Sequence, residues 1–378
     1  MEGRSKQRTE GASLRSPSFW QRPGLKPRQR RALDLSLYAL LILFTVGWAH
    51  TVGTALRDGK IPSLTRRMAA SSLPLDPAAP PDATFAMNAL LEQFIDWDDV
   101  RGASGEIRIA IQESGDTLFL PDALPQEVAI SYRPGTASND SLSIFATAGR
   151  APPDQPGIWN VLLRMRDAVV EVPDLTLVTL VPASRLREGR IGEYRIGEWP
   201  NGEGAYAPPR GFIEVTPENM ETPVSTHFQL KDFLTKGQEG VWPKYVVLSP
   251  RLLDKLELTL QELDAAGHPV ENVFVVSGFR TPWYNTSGGN PAGRGAMSRH
   301  MYGDASDIAI DNDYDGCMDD LSGDGDVDID DARVIVQAAE RVEEAHPELI
   351  GGIGIYRPVP GSHCGMVHLD TRGHRARW

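Results

Sequence analysis

Three patterns of apolar positions divide the chain. Between Leu35 and Leu56 the apolar residues run without period and without a single Asp, Glu, Lys or Arg. At about 1.5 Å per residue a helix over this stretch reaches roughly 33 Å, enough to cross the hydrocarbon of a bilayer. After a short helical candidate at Ala89 to Trp97 the period changes to two: Ile107, Ile109 and Ile111, then Val128 and Ile130, then Leu142 and Ile144, alternate with polar or small residues. Short apolar runs follow at Ile158 to Leu163 and Leu175 to Val181, separated by Pro, Gly, Asn and Asp, and the whole predicts a small β-sandwich. The third pattern starts at Ser249-Pro250. Leu252, Leu253, Leu256, Leu260 and Leu263, closed by Gly267, predict an amphipathic helix with its cap, its first-turn proline and its terminal glycine. A buried strand at Val273 to Val276 comes next, and alternating strands are predicted from Asp307 to Asp311 and from Met366 to Asp370.

Charge refines this division. The first 31 residues hold nine Lys or Arg against two Glu and no apolar period, which predicts a solvated basic tail. Positive charge before the apolar stretch orients the tail to the cytoplasm and the rest of the chain outward, with a cleaved signal peptide as the alternative. Residues 57–85, rich in Ala, Pro and Ser, read as an extended spacer. The net charge of −13 argues against nucleic acid as a partner. Nearly all of it comes from one segment, Asp304 to Asp331, with 12 Asp and no Lys or Arg. Two cysteines in 378 residues exclude a scaffold built on disulfides or on zinc and cysteine.

The candidate chemistry lies in the last third. His300 and Asp307 are seven residues apart with Gly303 between them, and His368 shares a strand face with Asp370. If the two strands are neighbours, His300, Asp307 and His368 converge, and three N/O ligands with one open position make a catalytic zinc site. The stretch Ser277 to Asn285 (SGFRTPWYN), Ser298 to Asp307 with the pattern S-x-H-x-x-G-x-A-x-D, GGIGIY at Gly351 to Tyr356, and Met366 to Trp378 occur in that order. Together they resemble the zinc D-alanyl-D-alanine carboxypeptidases and related murein endopeptidases, whose fold is shared with lysostaphin-type peptidases and the hedgehog signalling domain. The resemblance covers residues 222–378. It implies an α+β zinc peptidase domain, zinc on His300, Asp307 and His368, and Arg280 facing the substrate, where a guanidinium pairs with a carboxylate or steadies an oxyanion. Some relatives carry a Glu three residues before the last ligand, where this chain has Gly365. Others carry a His five residues before it, where this chain has His363. His363 is therefore the expected general base, with Asp370 as an orienting partner of the site or an alternative base.

Between the two ligand-bearing strands lies an acidic insertion, 311–331. Asp320, Ser322, Asp324, Asp326, Asp328 and Asp331, with Gly325 at the sixth place, follow the spacing of a calcium loop of EF-hand or dockerin kind. Calcium there is expected to be structural. An overlapping run, Asp311, Asp313, Asp315 and Gly316, reads as half a site or as sharing the ion. Cys317 and Cys364 could pair beside the site or stay free. The expected organisation is a cytoplasmic tail (1–31), a transmembrane anchor (32–56), a linker (57–85), a β-sandwich-like domain (86–185), a connecting segment (186–221) that reads as a surface connection or a substrate-groove rim, and the peptidase domain (222–378). The expected partners are the bacterial inner membrane, peptidoglycan stems or crosslinks, and a protein partner for the β-domain. A peptide-binding module using the same metal cleft, and a calcium-dependent adhesion protein, are the other function classes the sequence leaves open.

Overall fold

The computed structural model describes residues 109–113, 128–135, 153–165, 168–289, 294–359 and 364–378. The basic tail, the Leu35 to Leu56 stretch, the spacer, the Ala89 to Trp97 candidate, the Leu142/Ile144 pair and His363 lie outside them. Among the described residues no helix is long and apolar enough to cross a membrane.

The first strands are β1 (Ile109–Gln112), β2 (Val128–Pro134), β3 (Gly157–Met165) and β4 (Ala168–Thr179). They form one sheet in the order β1-β4-β3-β2, with β1 parallel to β4 and the other pairs antiparallel. Of the expected sandwich, the described residues contain this one sheet. Its Ile158 and Val178 belong to the same buried cluster as the helices and strands that follow.

The chain continues through β5 (Val181–Pro182), β6 (Arg190–Ile191), β7 (Tyr194–Arg195), β8 (Gly211–Val215) and β9 (Lys244–Val246). Strands β6 and β7 make a hairpin, and β5, β8 and β9 make a three-stranded sheet. The sequence led us to expect a surface connection or a groove rim at 186–221, without a core. Instead Tyr194, Ile196, Phe212, Ile213 and Val215 are buried there. Prolines and glycines in that segment mark its turns and mask the apolar residues between them.

Helix α1 (Pro250–Ala265) begins after Ser249 with proline in its first turn. It ends in a glycine-terminated cap, where Gly267, at φ +92°, donates to the Asp264 carbonyl and His268 to the Leu263 carbonyl. Then come β10 (Val273–Ser277), the short α2 (Pro282–Ser287), β11 (Ala305–Ile310), α3 (Ile329–Ala345), β12 (Gly352–Tyr356), β13 (Met366–Asp370) and β14 (Ala376–Arg377). Strand β11 starts two residues earlier than its alternation predicts.

The five strands pair in the order β10-β11-β13-β12-β14. Because side chains alternate across a strand, the sheet has two distinct faces. Ile308, Ile310, Val367, Leu369 and Ile353 share one face and join the leucines of α1 and the apolar side of α3 in a single core. Each such buried side chain contributes roughly 1.5–3 kcal/mol. The opposite face is left for chemistry.

Helix α1 also buries a charge. Glu257 is fully buried and accepts from the His227 main-chain N–H at 2.9 Å and from His227 Nδ1 at 2.7 Å. Burial alone would raise its carboxyl, but His227 outweighs it and holds the group below the usual carboxylate range. The stabilisation is therefore complete above the ordinary carboxylate pKa of about 4.3 and is lost as pH falls through the lowered folded value. Glu257→Gln is expected to cost about 1–3 kcal/mol in denaturant unfolding at neutral pH, and the gap from the wild type should narrow below about pH 4. A gap that does not change with pH would show that the carboxylate charge is not what stabilises.

Candidate metal centre

Strand pairing sets the geometry of the open face. Ser277 of β10 stands opposite Asp307 of β11, Asp307 opposite His368 of β13, and His368 opposite Gly354 of β12. One row of positions thus crosses four strands. His300 reaches the same row from a 3₁₀ turn, Arg299–Tyr302, that enters β11. That turn is tied on several sides. Arg299 pairs with Asp304, Trp199 Nε1 donates to the Met301 carbonyl at 2.8 Å, and Arg280 N donates to the His300 carbonyl at 3.1 Å. Gly303 closes it at φ +71°, where a Cβ would sit 2.3 Å from the Val247 carbonyl oxygen, so only glycine fits.

The result is a tight cluster. His300 Nε2, His368 Nδ1 and a carboxylate oxygen of Asp307 lie within 4.8 Å of one another, and all three residues are buried. His368 Nδ1 is 2.8 Å and His300 Nε2 3.3 Å from Asp307 Oδ1, and the two nitrogens are 3.2 Å apart. The outer nitrogen of each ring is already committed: His300 Nδ1 donates to the Gly278 carbonyl at 2.8 Å, and His368 Nε2 donates to Asp370 Oδ2 at 3.0 Å. Those two bonds fix the tautomers and turn a lone pair of each ring inward, as metal-binding imidazoles require. Two imidazole nitrogens and one carboxylate oxygen fit zinc, with room for a further ligand from the cleft.

Electrostatics hold two of the three donors, His300 and Asp307, in the form that binds a metal. Burial pushes the His300 imidazole down, more than neighbouring Asp307 pulls it up, so the ring is neutral. Burial would raise the Asp307 carboxyl, yet the two imidazoles outweigh it and hold the group ionised. His368 is raised, because hydrogen bonds to Asp307 and Asp370 overcome the effect of burial. The short contact between His368 Nδ1 and Asp307 is thus where a proton and a metal compete.

Asp370 stands behind His368, fully buried. Besides His368 it accepts from Gly352 N at 2.8 Å and Arg372 N at 3.0 Å, and it is clamped by the Arg372 guanidinium. Its carboxyl is held well below the usual range, with the His368 and Arg372 bonds overcoming burial. Of the two roles open to it, this position fits orientation of the imidazole. Lys255 of α1 supports it from below, donating to the Asp370 carbonyl at 2.7 Å and to Glu343 Oε1 at 2.6 Å, while Arg377 closes the other side of Glu343. Neither Arg372 nor Lys255 was apparent from sequence. The only hint of the first is its place two residues after Asp370.

A cleft of about 550 Å³ opens over the cluster. Arg280 lines it, 3.6 Å from Asp307 Oδ2, with its guanidinium steadied by Ser277 Oγ at 3.0 Å and Asn285 Oδ1 at 3.5 Å. Arg294 lies over the Tyr284 ring at 4.8 Å. Trp378 also lines the cleft. Its rings lie 5.0 Å from the His368 ring and its Nε1 donates to Tyr356 Oη at 3.1 Å. Gly354 makes room for it, since a Cβ there would come within 2.3 Å of the indole.

In the acidic insertion the carboxylates of the expected calcium loop accept main-chain hydrogen bonds, as do those of Asp311, Asp313 and Asp315 in the overlapping run. Asp320 accepts main-chain N–H groups of Gly323, Asp324 and Gly325, Asp331 accepts those of Ser322 and Asp328, Asp324 accepts that of Asp326, and Asp328 caps α3. Among the described residues the carboxylates gathered closely enough to share a second ion are those of Asp311, Asp313 and Asp315, from the overlapping run. Cys317 and Cys364 form a disulfide that ties the insertion to the strand bearing His368. His363 lies outside the described residues.

In comparisons with known protein families, with curated proteins and with solved structures, nothing matches the chain.

Asp370→Asn keeps the size of the side chain but weakens the anchor of His368. Zinc affinity, measured by competition with a chromogenic chelator, is expected to fall roughly 10–100-fold, with the folded state retained. An unchanged affinity would show that Asp370 does not orient the ligand.

Proposed function

We propose that this protein is a membrane-anchored zinc peptidase that hydrolyses peptide bonds in peptidoglycan, as a D-Ala-D-Ala carboxypeptidase or a murein endopeptidase. The observation that carries the reading is the meeting of His300 Nε2, Asp307 Oδ1 and His368 Nδ1 on one open sheet face, each ring anchored from behind. Zinc held there would supply Lewis acidity to a water and to a carbonyl oxygen. The chain's own residues do the rest. Asp307 and the imidazoles hold the ion, Asp370 and Arg372 keep His368 in its tautomer, and Arg280 offers a cation to a substrate carboxylate or a developing oxyanion. His363 is proposed to take the proton of the attacking water. Leu35 to Leu56 is proposed to anchor the chain in the inner membrane, with the catalytic part on the periplasmic side. Calcium is proposed as a structural ion of the insertion, where Asp311, Asp313 and Asp315 supply gathered hard oxygen donors.

A second reading is a wall-peptide-binding module that grips the same ligands without cutting. It is favoured by Gly365, which stands where some relatives carry a catalytic Glu.

Digestion of purified muropeptides followed by mass spectrometry separates the two. The peptidase reading predicts shortened or unlinked peptides, loss of products with a chelator, and recovery with added zinc. His363→Ala should lower the rate by roughly 10²–10⁴-fold with zinc retained, whereas His300→Ala should lose both zinc and cleavage. A zinc-loaded wild-type protein that binds but never cuts would establish the second reading instead.

A further inference from the structure

Four cations line the metal cleft, Lys236, Arg280, Arg294 and Arg372, against two carboxylates among the described residues, Asp232 and Asp307. Arg372 clamps Asp370, Arg280 faces Asp307 at 3.6 Å, and Lys236 is exposed to water. Arg294 is half-buried and has no carboxylate partner among the described residues. It shares the space with Arg280, whose guanidinium is lowered first by burial, against the pull of Asp307, and then by the charge of Arg294. Zinc would add further positive charge, so the cleft favours an anion.

The Arg294 guanidinium is nonetheless held in place. Nη1 donates to the Tyr284 carbonyl at 2.6 Å and to the Gly288 carbonyl at 2.8 Å, at the C-terminal end of α2, and the group lies 4.8 Å from the centre of the Tyr284 ring. That ring is seated in turn against Gly237 and Gly288, where a Cβ would come within 2.9 Å and 2.0 Å of it. Capping the short helix uses Nη1 alone. Nε and Nη2 have no hydrogen-bond partner among the described residues. A planar fork with its orientation fixed, two of its nitrogens free and no counter-ion is suited to bind a carboxylate side-on, with little rotamer freedom left to lose. Arg280 is placed differently. Beside Asp307 it stands at the metal centre, where the oxygen of a scissile carbonyl would gather charge.

We propose that Arg294 determines specificity by binding a free carboxylate next to the scissile bond, while Arg280 serves the carbonyl that is cut. The ligand class is a peptide whose residue beside the cut keeps an unblocked carboxylate, whether that residue ends a stem or belongs to a crosslink. Amidation of that carboxylate then protects the peptide. This rests on the hydrolytic reading of the metal centre and adds to it the group that selects the substrate.

The test uses the purified full-length protein and one muropeptide, the stem ending in D-Ala-D-Ala or the crosslinked dimer, whichever the wild type cleaves faster. Each is prepared with the carboxylate next to the scissile bond free or amidated. Amidation is expected to raise the wild-type KM by roughly tenfold or more, with a smaller effect on kcat. Arg294→Gln should raise KM for the free acid to about the level of the amide and so remove the preference, and Arg294→Lys should keep part of it. Arg280→Gln should lower kcat and leave the preference in place. Titration calorimetry of the zinc-loaded His363→Ala protein should show the same preference for the acid, lost when Arg294→Gln is added. Equal KM for the two forms in the wild type, a loss that Arg294→Gln imposes on both alike, or a preference that disappears with Arg280→Gln instead would overturn the proposal. If the wild type cleaves neither muropeptide, the hydrolytic reading fails. Calorimetry of the zinc-loaded wild type with the stem in both forms then decides the role of Arg294 by itself: tighter binding of the acid, lost in Arg294→Gln, supports it, and equal binding refutes it.

Discussion

The antiparallel register of β11 and β13 is the constraint on which the rest depends. It sets Asp307 opposite His368, and the neighbouring pairings add Ser277 and Gly354 to the same row. Since side chains alternate, a slip of one residue would send Asp307 and His368 to the helix-packed face and bring Ile308 and Val367 into the cleft. The apolar face prevents that slip. Ile308, Ile310, Val367 and Leu369 are fully buried against α1 and α3, so the energy that folds the domain is the energy that holds the register.

Concentrating charge in this way is expensive, and the surroundings show how the cost is met. Asp307 is ionised in a buried site because two imidazoles face it. Asp370 is ionised behind them because Arg372 and two main-chain N–H groups surround it. Lys255 is fully buried, and burial lowers its pKa despite Glu343 and Asp370 beside it. Each charge has a partner and a hydrogen bond, the condition under which buried ions are tolerated. Such a network adds little net stability compared with an apolar core, and its value lies in holding one arrangement of His300, Asp307 and His368.

Local signals were legible in the sequence. The proline and glycine around α1 and the alternation in β11 and β13 follow from residue spacing, whereas the convergence of His300, Asp307 and His368 was expected only on the condition that the two strands are neighbours and from the family resemblance. Contacts between distant segments were not. Lys255 meets Glu343 across 88 residues and Asp370 across 115, and no local pattern encodes such pairs. The hairpin and strands between 186 and 221 were hidden by prolines and glycines that read as a connection. In the acidic insertion the spacing of Asp320 to Asp331 was legible, but which carboxylates gather depends on how the loop folds, and among the described residues the gathered oxygens are those of Asp311, Asp313 and Asp315.

The central claim is that one metal ion sits among three side chains brought together by that register. Anomalous diffraction collected on both sides of the zinc absorption edge tests it most directly. The account predicts a single strong peak within about 2.0–2.2 Å of His300 Nε2, Asp307 Oδ1 and His368 Nδ1. A well-ordered cleft with no such peak in zinc-supplemented crystals, or zinc bound only elsewhere on the chain, would contradict it.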